Sequence, residues 1–359
     1  AVDAFGSDDL KKDTVQRRLF ELAVSRMDAF RRGRLRASEV FDADKIARRH
    51  ALLDLVGGHH SMDWSDVKFY FDPVTERIEP LSYESFSAFP IRTLAGADRF
   101  VGQQLPGMDL HDAYFNDTVI FKAYVHHLER MSRASYLDSA FTALSDALDS
   151  ASALIYREFP YKELDRSIYS KNQFIIRKIL DVPKGFHAYL DGGRDTLRIT
   201  VVPLEGLPMD VHGVIGKNGV LYPATGTRIV PCRMPGRMGV PLDLVIPVDA
   251  GFDRAKNDPI MLRYSVLGAS VMKELEVFPY AYSEGLALHA GVDPAPQDLS
   301  KIPFLGVDDE ARTISFVPGK WILEKDLVIP AGYMVKASAP LRLDLQKGVR
   351  IISHSPMTW

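Results

Sequence analysis

Residues 41–85 read FDADKIARRHALLDLVGGHHSMDWSDVKFYFDPVTERIEPLSYES, and the reading of this stretch decides the fold. Asp42 is a predicted N-cap, Ile46, Ala47, Leu53 and Val56 recur at near-helical spacing, and Gly57-Gly58 ends the helix. A loop dense in potential ligands follows: His59, His60, Ser61, Asp63, Ser65 and Asp66. Val67–Phe71 is a β-rich run, Asp72-Pro73 opens a turn, Ile78–Leu81 returns as the paired strand, and Glu84 comes directly after it. An antiparallel hairpin sets the start of one strand beside the end of the other, so the polar loop and Glu84 are expected at the same end.

Two groups of hard oxygen donors at one end of a hairpin suit a divalent cation and phosphate. Mg²⁺ takes oxygen ligands and is usually held by one or two carboxylates together with substrate phosphates. Protein kinases use a comparable order, with an Asp and an Asn on a catalytic loop and a further metal-binding Asp. A solvated acidic loop is the other reading of the same residues, and motif spacing alone does not separate the two.

The run from Ala47 to Leu81 resembles the CotH family, the spore-coat-type atypical kinases and their larger bacterial relatives. There a segment H-x-x-x-W-x-N-x-x-F-Y leads into a hairpin N-P-x-T-x-R-x-E-P and then a metal-binding Asp. His60, Trp64 and Phe69-Tyr70 match the first part, and Pro73, Thr75, Arg77, Glu79 and Pro80 match the hairpin. Asp66 stands where the family has Asn, and Glu84 where it has the metal-binding Asp; both departures keep an oxygen ligand. The resemblance implies Mg²⁺ and ATP as cofactors, with Asp66 and Glu84 as the metal- and cofactor-binding residues. It puts the catalytic Asp at Ser61 or Asp63, of which Asp63 is favoured, with His60 in the same catalytic group. The implied activity is transfer of the ATP γ-phosphoryl group to Ser or Thr of an envelope or coat protein, in the bacterial cell envelope or outside the cell. A side chain one methylene longer at Glu84 displaces its carboxylate by more than a catalytic geometry tolerates. A non-catalytic pseudokinase scaffold of the envelope is therefore the alternative, and a carbohydrate-binding envelope protein is another. A kinase also needs a β-lobe with a Gly-rich flap and a phosphate-gripping Lys. No strand-rich, Gly-rich segment precedes Asp42, so the chain reads as a C-lobe followed by downstream domains.

The composition frames this reading. The 359 residues are enough for two or three domains. With 44 basic and 47 acidic side chains and a net charge of −3, nothing favours nucleic acid as a partner. Cys232 is the single cysteine, which excludes an internal disulfide and a Cys-based zinc site. No apolar run is long enough for a transmembrane helix, so no membrane insertion is expected.

Leu10–Arg32 is a predicted amphipathic helix with Val15, Leu19, Leu22, Ala23, Met27 and Phe30 on one stripe. The arginines among residues 31–36 read as a solvated helix end. Ser85–Leu110 is a long irregular stretch, with Arg92 and Arg99 in it and Lys122 beyond it as candidate phosphate contacts. Helices are expected over Asp112–Ser132 and Ser135–Phe159, completing an α-helical lobe. His126 and His127 are adjacent, so on a helix their side chains splay roughly 100° apart and cannot share a metal.

From Phe186 to Val317 short strands alternate with turn signals, as in the hairpins around Asp191-Gly192 and Lys217-Asn218-Gly219. Their regular spacing predicts a β-sandwich, with Tyr280 and Tyr282 as candidate contacts for sugar or protein. From Gly319 the phrase Trp321…Asp326-Leu327-Val328-Ile329-Pro330-Ala331-Gly332 resembles the opening of the parallel β-helix of larger CotH-like proteins. The expected class is thus α+β and multidomain: a helical kinase-like C-lobe with a small hairpin over 1–168, a β-sandwich over 169–318, and the start of a β-helix or capping strands over 319–359. Both ends of the chain look interrupted, as expected of a fragment.

Overall fold

The computed structural model describes residues 2–63, 66–85, 88–103, 107–192, 195–216, 219–249, 252, 259–279, 281–282, 297–330, 332–347, 349–353 and 355–358. The protein is mixed α+β, and the chain divides into two compact units, Ala1–Tyr282 and Ser283–Trp359.

Helices α1 (Ser7–Leu10), α2 (Thr14–Arg31), α3 (Ala37–Val40) and α4 (Ala43–Val56) open the first unit. The expected helix over Leu10–Arg32 is broken near its start because the Asp13 carboxylate accepts from Val15 N and Gln16 N, which makes Asp13 the cap. Met27 and Phe30 of the expected stripe are buried, whereas Val15 is exposed. Asp42 caps α4 through Lys45 N at 3.0 Å. Gly57 ends α4 at φ 68°, where a Cβ would stand 1.9 Å from the Phe89 carbonyl oxygen.

Strands β1 (Lys68–Asp72) and β2 (Arg77–Leu81) form the hairpin, in a register that runs from Lys68 opposite Leu81 to Asp72 opposite Arg77. The Asp72 carboxylate closes its turn by accepting from Val74 N and Thr75 Oγ1. Helices α5 (Leu110–Phe115), α6 (Thr118–Met131), α7 (Ala134–Ala143) and α8 (Ser145–Glu158) replace the two longer helices expected. The first break is made by Asp117, whose carboxylate accepts from Val119 N and, across the unit, from Ser38 N. Helix α9 (Ser167–Leu180) then packs on α4 and α6.

Two antiparallel sheets follow. One has the order β3 (Phe186–Leu190), β4 (Thr196–Pro203), β8 (Leu242–Pro247). The other runs β10 (Lys273–Val277), β9 (Ile260–Val266), β5 (Met209–Ile215), β6 (Leu221–Pro223), with β7 (Ile229–Val230) also on β5. Their alternating buried residues, among them Phe186, Ile199, Leu244, Val211 and Leu262, belong to the same core as the buried faces of α4 and α6. The expected boundary at 168/169 therefore does not separate compact units. Asn172 of α9 donates to Leu55 O and Phe89 O and accepts from Ile91 N, and Asp98 N donates to Gly206 O.

The second unit starts well before the expected boundary at residue 319. Strands β11 (Leu305–Asp308) and β12 (Thr313–Phe316) pair antiparallel, but β12 also pairs in parallel with β15 (Met334–Ala337), which in turn pairs with β18 (Met357–Thr358). Likewise β13 (Gly319–Leu323) lies parallel to β16 (Leu341–Leu345), and β14 (Leu327–Ile329) to β17 (Ile351–Ser353). Thr313 stands beside Met334, Gly319 beside Leu341 and Leu327 beside Ile351, so the chain winds in stacked coils of about 21–24 residues. Ile314, Phe316, Leu323, Leu327, Ile329 and Val335 give this unit its own core.

Candidate functional site

The site is built around the end of α4. The inner face of this helix carries Arg49, His50 and Asp54, all buried. After Gly57 a single 3₁₀ turn, His59–Met62, leads past Asp63 and Asp66 into β1.

His60, Asp63 and Asp66 converge, with one ligand atom from each lying within 4.8 Å of the others. The His60 ring stands between the carboxylates, Nδ1 3.5 Å from Asp63 and Nε2 3.4 Å from Asp66. Asp63 is the most open of the three, its side chain 68% exposed, and Asp66 the most enclosed at 16%. One imidazole and two carboxylates make a donor set that a divalent cation fits. The imidazole suits Mn²⁺ or Zn²⁺ better than Mg²⁺, which prefers an all-oxygen shell.

Glu84 is outside this convergence, although Asp66 was expected to share a metal with it. The register that sets Lys68 opposite Leu81 brings residue 84 back toward the loop, but Glu84 sits at φ 50° in an irregular stretch beyond the strand. Ser61 is fully buried. Its hydroxyl donates to Gly58 O and accepts from Arg49 Nη2, which also donates to Ser61 O, so of the two positions expected for the catalytic Asp, Ser61 is the one committed to holding the turn. Trp64 and Ser65 lie outside the described residues, as does Tyr280. The Tyr282 ring packs tilted against Tyr189, centroids 5.3 Å apart, and Tyr189 lies 5.2 Å from Phe278. Of the candidate phosphate contacts, Arg99 is committed to Asp112 and the Ala95 carbonyl, while Arg92 and Lys122 are exposed.

Behind the exposed turn lies a polar network that the sequence reading missed. Asp54 is fully buried. One carboxylate oxygen accepts from His59 Nε2 at 2.7 Å and Ala95 N at 2.9 Å, and the other accepts from the Tyr124 hydroxyl. Burial pushes the Asp54 carboxyl up from its ordinary value against the pull of these three donors, and burial also holds the Tyr124 hydroxyl in its neutral form. The available signal was an acid set between Leu53 and Leu55 within the buried part of the predicted helix, which requires partners from elsewhere in the fold.

A second buried chain runs beside it. His50 Nδ1 lies 2.8 Å from Ile46 O, His50 Nε2 lies 3.1 Å from His111 Nδ1, and His111 Nε2 lies 2.8 Å from Met62 O. His126 and His127 behave as their adjacency requires: His127 is buried against Asp44 at 2.7 Å, and His126 faces solvent. Among the described residues no helix is long and apolar enough to cross a membrane.

Comparison with protein-family models, with curated proteins and with solved structures found no match.

Proposed function

We propose that residues 41–85 form the catalytic-loop and hairpin element of a CotH-like kinase lobe that binds a divalent cation with ATP and phosphorylates Ser or Thr of an envelope or coat protein. The observation that carries this reading is the meeting of His60, Asp63 and Asp66 at the mouth of the hairpin. His60 and Asp66 are the residues that would hold the cation, and Asp63, the most exposed carboxylate, is the one a hydroxyl substrate reaches. The cation would supply charge neutralisation for the phosphates. The protein would supply position, through a turn pinned from behind by Arg49 and by His59 on Asp54. The two antiparallel sheets are read as a sandwich-like module and the stacked coils as the opening of a parallel β-helix, both suited to an extended envelope protein.

A second reading, a non-catalytic scaffold, is favoured by Ser61 being buried and pinned and by Glu84 not being a member of the His60–Asp63–Asp66 cluster. Thermal stability with Mg²⁺ or Mn²⁺, each with and without ATP, separates the two. A ligand at 100 times its Kd stabilises a protein by about 2.7 kcal/mol. A metal-dependent ATP shift that disappears in Asp63→Ala/Asp66→Ala supports the kinase reading. No shift with either metal, alone or with ATP, supports the scaffold.

A further inference from the structure

The His50–His111 chain contains a proton count that does not close for neutral rings. It has three contacts: Ile46 O to His50, His50 to His111, and His111 to Met62 O. Both end groups are carbonyl oxygens, which only accept, so each ring must donate outward. The two facing nitrogens, 3.1 Å apart, would then both present lone pairs. Three contacts need three N–H groups. Two neutral imidazoles carry two, whereas one imidazolium and one imidazole carry three.

We infer that His50 and His111 form a proton-operated latch: with one added proton between them all three contacts close and tie the Met62 carbonyl to α4, and without it the Met62 contact opens. Met62 is the end that gives way because Ile46 and His50 share one helix and both rings are buried. Met62, by contrast, lies in a single turn between the exposed His60 and Asp63. The latch therefore controls how firmly the turn with His60 and Asp63 is held, whether or not a cation binds there.

The surroundings set where the latch closes. Arg49 from α4 and Arg99 from the segment before α5 oppose a cation on the rings, and Asp109 just ahead of α5 favours one at His111. Tyr114 of α5 packs against both rings, and burial keeps its hydroxyl neutral. Burial lowers both histidines below the ordinary imidazole range, so the latch closes only on its acid side.

The test is hydrogen–deuterium exchange of the amides of residues 58–63 in the full chain between about pH 4.5 and 7.5, expressed as protection so that the intrinsic pH dependence is divided out. Protection is expected to rise about tenfold toward acid pH, the effect of one charge-assisted hydrogen bond. In His111→Gln an amide N–H donates to Met62 O without titrating, and the profile should be flat. Ring-nitrogen NMR of the unmodified chain needs no variant to fold. It should show three of the four nitrogens protonated at the acid end and two at the neutral end. A pH-independent protection in the unmodified chain, an equal slope in His111→Gln, or rings that stay neutral while protection changes overturns the latch.

Discussion

Gly57 separates two sets of ionisable groups that are neighbours in sequence and opposites in physics. On the α4 side, Arg49, His50 and Asp54 are buried, and their hydrogen bonds reach residues far along the chain, such as Tyr124 and His111. On the turn side, His60 and Asp63 are exposed, and the pairs that His60 makes with Asp63 and Asp66 are 3.4–3.5 Å long. In the low-dielectric interior each polar group must find a partner, so position is specified by the fold. At the surface water satisfies the same groups and their arrangement is only loosely held. The difference teaches that rigidity resides on the buried side, while the exposed side carries the polar groups that solvent reaches. The joint between them is a glycine that no other residue replaces without moving the Phe89 backbone.

The comparison breaks most severely at Asp54. Asp54→Ala leaves the Ala95 N–H, the Tyr124 hydroxyl and His59 without their acceptor, and should cost about 3–5 kcal/mol in urea-induced unfolding. A loss under 1 kcal/mol would mean that the network does not position the turn.

A smaller effect follows from pH. His50 and His111 hold values below the ordinary imidazole one, so as pH falls through about 6.5 the unfolded chain takes up protons before the folded one. The stability they contribute is full above that point and declines below it, by up to about 1.4 kcal/mol per pH unit for each unmatched proton. Asp54, held up by burial, acts with the opposite sign, gaining its proton in the folded state first. That gain belongs to the more acid region. Unfolding free energies measured across this range should therefore fall on the acid side of 6.5, with a weaker fall in His50→Phe.

The smallest stability effect belongs to the exposed side. Asp63→Ala should change unfolding free energy by no more than about 0.5 kcal/mol. Any loss of metal- or nucleotide-dependent stabilisation in that variant then reports on binding alone. A large destabilisation by Asp63→Ala would place it with the buried group and remove the contrast.

Much of the local structure was legible. The Asp42 cap, the Gly57 stop, the turn opened by Asp72-Pro73 and the splay of His126 from His127 all depend on residues within about four positions of one another, the reach of helix and turn chemistry. The breaks at Asp13 and Asp117 were missed although the signal was local. An acid inside an apolar pattern reads equally as surface charge or as a cap, and for Asp117 the long-range bond from Ser38 N adds to the capping geometry.

The sequence by itself therefore determined where most elements begin and end, the alternation of the short strands, and the position of the polar turn between α4 and the hairpin. The tertiary structure alone decided which groups meet. It joined Asp54 to Tyr124 and His50 to His111, gathered His60, Asp63 and Asp66, and merged helices and sheets into one core while β11 and β12 went to the coils. The physical reason is range: caps and turns are settled by neighbours along the chain, whereas the burial of a charge is settled by whatever segment arrives to satisfy it.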